Sequence, residues 1–535
     1  MSTRQSLAPA SIKDEHLAVL ERDEATLQSL GVKQELQRNF SLLSGLGLAF
    51  SILNSWTALG ASMSLALPSG GPSAVIWGLV AAGICNLCLA ASMSEFLSAY
   101  PTAGGQYHWV AVISWRRWMP LLSWTTGWIN TSGWVALSAA AGLLGSTLIL
   151  GIVSLYHPTF EPQRWQQFLI YLVYNFVALF VNAFLTKILP YFTKTALIWS
   201  IIGWILISIT VLACASPNYE SGHVVYGTFI NTTGWPDGLA WLLGLLQGAF
   251  GLTGYDAVAH CIEELGDAVV QGPRIMMGCV LIGVVTGFLY LSILLFVATD
   301  INTVVTSPVG PMLQIFYDAL GNKAGATCLL VIPLVCLMFA GISILTTTSR
   351  MIYAFARDGG LPASRYLARV HKGLAVPLNA LLLTAGLVTV FGLIFLGSSS
   401  AYNAIVSASV AALGVTYAIP PTINCLRGRR ALPANRAFVM PNTLGWICNL
   451  VGITYTIMTT VLFMFPPLTP VTGSNMNYCV AAFAIVLVVS VVQWFVDGRK
   501  NYNGPRLDEA ALSGALVLET TPVESSDRIV HPVKE

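Results

Sequence analysis

The sequence predicts an all-α membrane protein whose chain crosses the bilayer twelve times. Three observations lead there. Only 9% of the 535 residues are charged and 55% are apolar, whereas a soluble protein carries about 25% charged residues. Apolar runs long enough to span hydrocarbon, which takes ~20 residues, recur along the chain. The lysines and arginines also fall almost entirely on one side once those runs are threaded in alternation.

Taken in order, the first element is a polar stretch, 1–40, read as a cytoplasmic tail. It has no apolar core and no small-residue cleavage site, so it does not read as a signal peptide. Within it, DEATLQSLGVKQELQRNF spaces Leu27, Leu30, Leu36 and Phe40 as a helix would. That pattern fits a helix lying against the bundle, and a solvated tail is the competing reading. The membrane domain, 41–498, holds spans near 41–66, 74–98, 121–151, 168–186, 195–215, 239–264, 275–298, 326–349, 376–397, 402–425, 443–465 and 478–497. The last element, 499–535, is a polar cytoplasmic tail with too little apolar surface to pack.

With both ends inside, the inner segments hold Arg116 and Arg117, Lys187 and Lys194, Arg274, the run from Arg350 to Lys372, the run from Arg427 to Arg436, and Arg499 onward. The outer segments hold only Arg164 and Lys323, two of the 26 basic residues. A missed or invented span would invert every later loop, so the asymmetry supports the span count as well as the orientation. Asn231-Thr232-Thr233, in the outer loop before span six, makes Asn231 a candidate glycan acceptor.

Composition excludes several classes. A net charge of +2 gives nothing for nucleic acid to bind. Cys85 and Cys88 form a C-x-x-C inside an apolar span with no histidine or second pair nearby, so they read as buried small side chains and not as a metal or redox site. No cofactor is indicated. The sequence has no HExxH, no P-loop and no pair of transmembrane aspartates, which argues against an enzyme and against ATP drive.

Two spans carry helix breakers at their centres. Span one, SLLSGLGLAFSILNSWTALGASMSLAL, crowds Ser51, Asn54, Ser55, Thr57, Gly60 and Ser62 into its middle. Span six, LLGLLQGAFGLTGYDAVAHCIEEL, places Gly251 and Gly254 just before Asp256. A helix interrupted in hydrocarbon frees backbone amides and carbonyls, each costing several kcal/mol unless protein, ligand or water satisfies it. One such span alone is explained by close helix packing. Two, each opening a set of five spans, are the mark of an inverted-repeat transporter with its site at the paired breaks. Freed amides suit a carboxylate and freed carbonyls suit a cation.

Four stretches then resemble a known family. NSWTALGAS (54–62) with GGP (70–72), SEFLSAYPTAGGQYHW (94–109), GLTGYDAVAHCIEEL (251–265) followed by GPRIM, and SRMIYAFARDGGLP (349–362) are similar to segments of the amino acid–polyamine–organocation superfamily. The closer likeness is to its fungal branch of amino acid, choline and GABA permeases. The resemblance implies the sodium-leucine-transporter fold, a 5+5 inverted repeat plus two helices. It implies a substrate site at Ser51, Asn54, Ser55, Trp56 and Thr57 on span one, and at Phe250, Leu252, Thr253, Gly254 and Tyr255 on span six. An aromatic of span six, Phe250 or Tyr255, would cover the substrate, and Trp128, Asn130 and Trp134 of span three are further lining candidates. Some proton-coupled relatives place a lysine within span five. The matching stretch here, TALIWSIIGWILISI, has none.

Asp256 is the acidic residue deepest in any span. A buried ion is costly enough that such residues are by default functional. Two roles stay open: accepting a coupling proton, or pairing with a substrate ammonium. Glu95, Glu263 and Glu264, with Arg350 and Arg357, are candidates for an inner gate. The functional expectation is a secondary active transporter, coupled to a proton, for an amino acid or related small amine such as choline or GABA. The expected location is the plasma membrane rather than a vacuolar or other internal one. A non-transporting nutrient sensor and a polyamine transporter are the alternatives.

Overall fold

A computed structural model describes residues 42–374, 376–397 and 400–505. The tail over 1–40, its helix over 23–40 and most of the tail over 499–535 lie outside the described residues. Within them the chain is almost entirely helical, and each of the twelve expected spans has a helical counterpart. Nine described helices are long and apolar enough to cross a membrane. The other three spans differ for physical reasons. Spans one and six are split, and span nine has a shorter apolar stretch, Leu378–Ile394.

Span one is α1 (Leu42–Leu53) and α2 (Ser55–Ala61). Span two, α3 (Gly71–Ala99), opens with Pro72 in its first turn, where the missing N–H costs nothing. A short helix, α4 (Gln106–Ile113), links it to the long span three, α5 (Met119–Tyr156). Span four, α6 (Arg164–Phe184), is closed by a Gln163/Gln166 capping box. Span five is α7 (Leu189–Ala215). Span six is α8 (Asp237–Phe250) and the single turn α9 (Ala257–His260).

Span seven is α10 (Ala268–Val297). After it, α11 (Pro311–Leu320) leads into span eight, α12 (Lys323–Arg357), whose N-cap Asn322 accepts from the amides of Ala324 and Gly325. Spans nine to twelve are α13 (Leu378–Gly397), α14 (Ala401–Leu426), α15 (Asn442–Leu462) and α16 (Cys479–Gln493).

The split spans sit in the middle of the bundle. α1 packs on α7, α10 and α12, α8 packs on α3, and α5 packs on α12 and α14. The outer helices show the opposite pattern. Val173 (63% exposed), Phe176 and Phe184 on α6 point outward, as do Ile201, Ile205 and Ile209 on α7 and Val488, Val491 and Val492 on α16. Apolar surface of this extent on three helices is what a lipid-facing band requires. At the end of span twelve, Tyr502 is buried, its hydroxyl 2.8 Å from Ser123 Oγ and its ring edge-on to Trp124. The polar tail expected from 499 therefore begins with an anchored residue.

Candidate functional site

The break in span one is a single residue. Asn54 takes a left-handed conformation, φ 41° and ψ 40°, between two helical segments. Asparagine tolerates this region better than most L-residues, so a stretch without a glycine at that point can still break. Its amide nitrogen Nδ2 is buried and bonded to nothing among the described residues, and the same holds for Ser55 Oγ. Thr57 Oγ1 is likewise buried without a hydrogen-bond partner among the described residues, whereas Ser51 and Trp56 are engaged. Ser51 Oγ donates to the Leu48 carbonyl (2.9 Å) and lies 2.9 Å from Ser343 Oγ on α12. Trp56 donates to Ser200 Oγ at 2.7 Å and sets its ring edge-on to Tyr290. Thr57 lies against the Cys336 thiol.

The break in span six is longer. Past Phe250 the amides of Leu252 and Thr253 bond three residues back, to Ala249 O (3.3 Å) and Phe250 O (3.1 Å), and the chain then leaves the helix. Gly254 sits at φ +101°, and a Cβ there would stand 3.1 Å from Ile52 Cγ2 and 3.3 Å from Leu137 Cδ2. Gly251 lets the two split spans cross, since a Cβ would meet Leu59 Cγ at 2.5 Å. Leu252 is buried against α10, within reach of Gly283. Tyr255 packs its ring 4.7 Å from that of Tyr417.

Asp256 is the N-cap residue of α9, yet its side chain caps nothing. It turns into the protein, fully buried, and meets four side chains. Tyr417 of α14 donates to Oδ1 at 2.5 Å. Gln106 of α4 donates to Oδ2 at 2.7 Å, and Trp134 of α5 does so at 3.2 Å. His260 Nε2 lies 3.2 Å from the same oxygen. Tyr417 also accepts the Gly254 amide at 3.3 Å, so one phenol stitches the unwound backbone to the carboxylate.

Between the two breaks lies a cavity of about 20 Å³, room for about one water. It is lined by Asn54 and Ala58 of span one, Phe250 and Thr253 of span six, Leu137 and Ala141 of α5, and Leu337, Ala340 and Ile344 of α12. A larger crevice of about 160 Å³ is lined by Ser64, Ser69, Leu243, Leu246, Asn403 and Ser407. Leu243, Leu246, Phe250 and Thr253 recur at helical spacing along one face of span six, so the crevice and the cavity share that face.

The expected site residues thus separate. Asn54, Phe250 and Thr253 line the cavity. Ser51, Ser55, Trp56, Thr57, Leu252, Gly254 and Tyr255 are buried beside the breaks but do not line it. Asn130 and Trp134, one turn apart, face the Asp256 cluster, while Trp128 packs 5.9 Å from Trp124. The contributions of Tyr417, Gln106 and the apolar face of α12 were not read from the sequence. Their one local signal is a polar or small residue in an apolar run.

The acidic residues near the arginine-rich end form two clamps. Glu264 bonds Arg350 Nε at 3.0 Å, and Glu263 takes both terminal nitrogens of Arg357, at 3.1 and 3.3 Å. These pairs tie the end of span six to α12. Glu95 pairs instead with Arg429 (2.8 Å) and Arg436 (2.7 Å), tying α3 to the segment between α14 and α15. Removing one partner of such a buried pair costs about 3–5 kcal/mol, because the other charge is left uncompensated. At the opposite end, Asn231 donates both amide protons inward, to the Trp235 carbonyl (2.7 Å) and to Asp237 Oδ1 (2.9 Å), so a glycan there would displace one of them.

Residues 40–491 match the family described as amino acid permease. A Macrophomina phaseolina protein named for amino acid/polyamine transport is 36% identical over 82% of this chain and 97% of its own. The choline transporter of Saccharomyces cerevisiae is 33% identical over 88% of this chain and 83% of its own. An amino-acid permease of Arabidopsis thaliana is 30% identical over 91% and 97%. The chain belongs to the amino acid permease family and is a multi-pass transmembrane transporter, not an enzyme.

Proposed function

We propose that this protein is a proton-coupled secondary transporter that carries an amino acid or a related small amine such as choline or GABA. One observation carries the reading: two interrupted helices converge on a small cavity, and the buried Asn54 amide beside it has no partner among the described residues. A buried donor left unmade costs ~1–3 kcal/mol. A substrate carboxylate, carbonyl or hydroxyl would supply what Asn54 lacks, and carbonyls freed at the end of α8 would take an ammonium. The names of the fungal and plant relatives support this substrate class.

The cavity holds no more than a water, so a substrate enters only if the split spans move. Phe250 is the aromatic that stands between crevice and cavity along span six, which fits the covering role better than Tyr255, packed against Tyr417. The arginine-rich end is the cytoplasmic one by the positive-inside rule. That reading puts both tails in the cytoplasm, makes the Glu263, Glu264 and Glu95 clamps an inner gate, and opens the crevice outward. The membrane is the plasma membrane. Asp256 is the coupling site, because its oxygens are already taken by four side chains and leave little for a substrate ammonium.

The test is uptake into proteoliposomes of labelled choline, GABA, putrescine, lysine and alanine, with and without an inward proton gradient. One of them should be concentrated, and an uncoupler should abolish the concentration. Accumulation that ignores the uncoupler would remove the proton. No uptake of any of the five would remove the substrate class.

A further inference from the structure

We propose that Asp256 and His260 together hold one transferable proton, and that the Ala103 backbone transmits its presence to the Glu263–Arg357 pair. The inference rests on the proton-coupled reading and adds a second residue and a route to the gate.

His260 is fully buried. Its Nδ1 is 2.9 Å from the Ala103 carbonyl oxygen, which can only accept, so Nδ1 carries a hydrogen. Its Nε2 has two neighbours: Asp256 Oδ2 at 3.2 Å and Asn130 Nδ2 at 3.4 Å. The amide orientations follow from a chain that ends on the carboxylate. Gln106 must turn its nitrogen to Asp256 Oδ2, which turns its oxygen to Asn130, which then presents nitrogen (2.9 Å). Nε2 therefore stands between an acceptor and a donor. It can satisfy Asp256 only when a proton lies between them, on either atom. It can satisfy Asn130 only when it is bare.

The other groups facing this pair are Tyr417 from α14, Trp134 from α5, Gln106 from α4, Cys279 from α10 and the adjoining Tyr255. Among the described residues no lysine or arginine bonds Asp256, so its one available cation is the imidazolium. A proton arriving from one side completes the Oδ2···H···Nε2 contact and leaves to the other side as H⁺; no other covalent bond forms or breaks. When it leaves, Oδ2 and the bare Nε2 repel and Nε2 turns to Asn130.

That rotation reaches the gate through the backbone of one residue. The Ala103 carbonyl holds His260 Nδ1, and the Ala103 N–H donates to Glu263 Oε1 at 3.1 Å, the oxygen that Arg357 also binds at 3.1 Å. The segment fits closely around the ring: Gly105 has φ +55°, and a Cβ there would stand 3.1 Å from His260 Cε1. A turn of the imidazole cannot leave this segment where it is.

Two variants separate the arms, each in the full chain reconstituted in proteoliposomes. His260→Asn keeps an amide where Nδ1 was and loses the group facing Asp256. His260→Gln keeps a group facing Asp256 and loses the Ala103 bond. Neither titrates. With labelled choline, or whichever of the five probes the wild type concentrates, both should retain counterflow exchange. Both should lose about tenfold in accumulation, within the usual range of coupling energies, and the pH dependence of exchange should flatten. If the wild type ignores the proton gradient, the functional reading itself fails. If the wild type is proton-driven and Asp256→Asn uncouples it, yet both His260 variants accumulate normally, the reading stands and the shared proton is overturned.

For the bridge, Glu263→Gln combined with His260→Asn should shift the pH midpoint of exchange non-additively, and additivity overturns it. Nitrogen NMR of ¹⁵N-histidine-labelled wild type gives a second measurement independent of variant folding. A His260 Nε2 signal that titrates while Nδ1 stays protonated agrees with the proposal, and a pH-independent Nε2 contradicts it.

Discussion

The two helix breaks solve the same problem in opposite ways. In span one a single left-handed residue, Asn54, interrupts the helix, and the polar groups beside it, Asn54 Nδ2 and Ser55 Oγ, are buried without partners among the described residues. In span six the chain unwinds over several residues, and although the Tyr255 hydroxyl there is buried without a partner among the described residues, the charged group of the break, Asp256, is met by Tyr417, Gln106, Trp134 and His260. An unsatisfied buried donor is a standing cost that a ligand can relieve. A carboxylate with a full set of partners has no such vacancy, and the change open to it is gaining or losing a proton. The difference assigns recognition to the first break and coupling to the second.

The comparison can be broken or sharpened by substitution. The largest effect is expected at Gly254→Ala. A side chain at φ +101° costs on the order of 1–3 kcal/mol of strain, and the new methyl overpacks against Ile52 and Leu137. Thermal unfolding in detergent should show a clear loss of stability, and an unchanged melting temperature would mean that the segment is not held as described. Next comes Tyr417→Phe, which removes a hydrogen bond to a carboxylate, worth ~1.5–3 kcal/mol. It should lower stability and alter the pH dependence of exchange without changing substrate affinity. A large affinity change would instead place Asp256 in the substrate site.

Asn54→Gly keeps the left-handed backbone and deletes the amide. Abundance should be normal, and apparent substrate affinity should fall about tenfold, equivalent to ~1.4 kcal/mol. Equal affinity would remove Asn54 from recognition. The smallest effect is expected at Ser55→Ala, whose hydroxyl has no partner among the described residues. Stability should change by less than ~0.5 kcal/mol, and a larger loss would reveal a bond that the comparison denies.

What the sequence made legible follows what its physics records. Span positions were readable because hydrocarbon imposes length and apolarity on every crossing helix. The break in span six was readable because Gly251 and Gly254 have a backbone reason to be there. In span one the cluster of small polar residues marked the region, but nothing local singled out Asn54 as the residue that turns left-handed. Long-range pairing was the least legible. Periodicity tells which residues of one helix share a face and says nothing of what that face meets. Tyr417 lies 161 residues from the carboxylate it bonds, and Glu95 finds Arg429 and Arg436 rather than the arginines of α12. His260 was visible one turn from Asp256, whereas the Ala103 carbonyl that fixes its tautomer was not.

The most direct test of the assignment of coupling to span six is Asp256→Asn, which mimics the protonated carboxyl. Reconstituted protein would be assayed twice with the same labelled probe: for counterflow exchange with no gradient, and for accumulation under an inward proton gradient. The account expects exchange at near wild-type affinity together with accumulation that stops at equal concentrations on the two sides. Loss of binding in the exchange assay, or accumulation equal to the wild type, would contradict it.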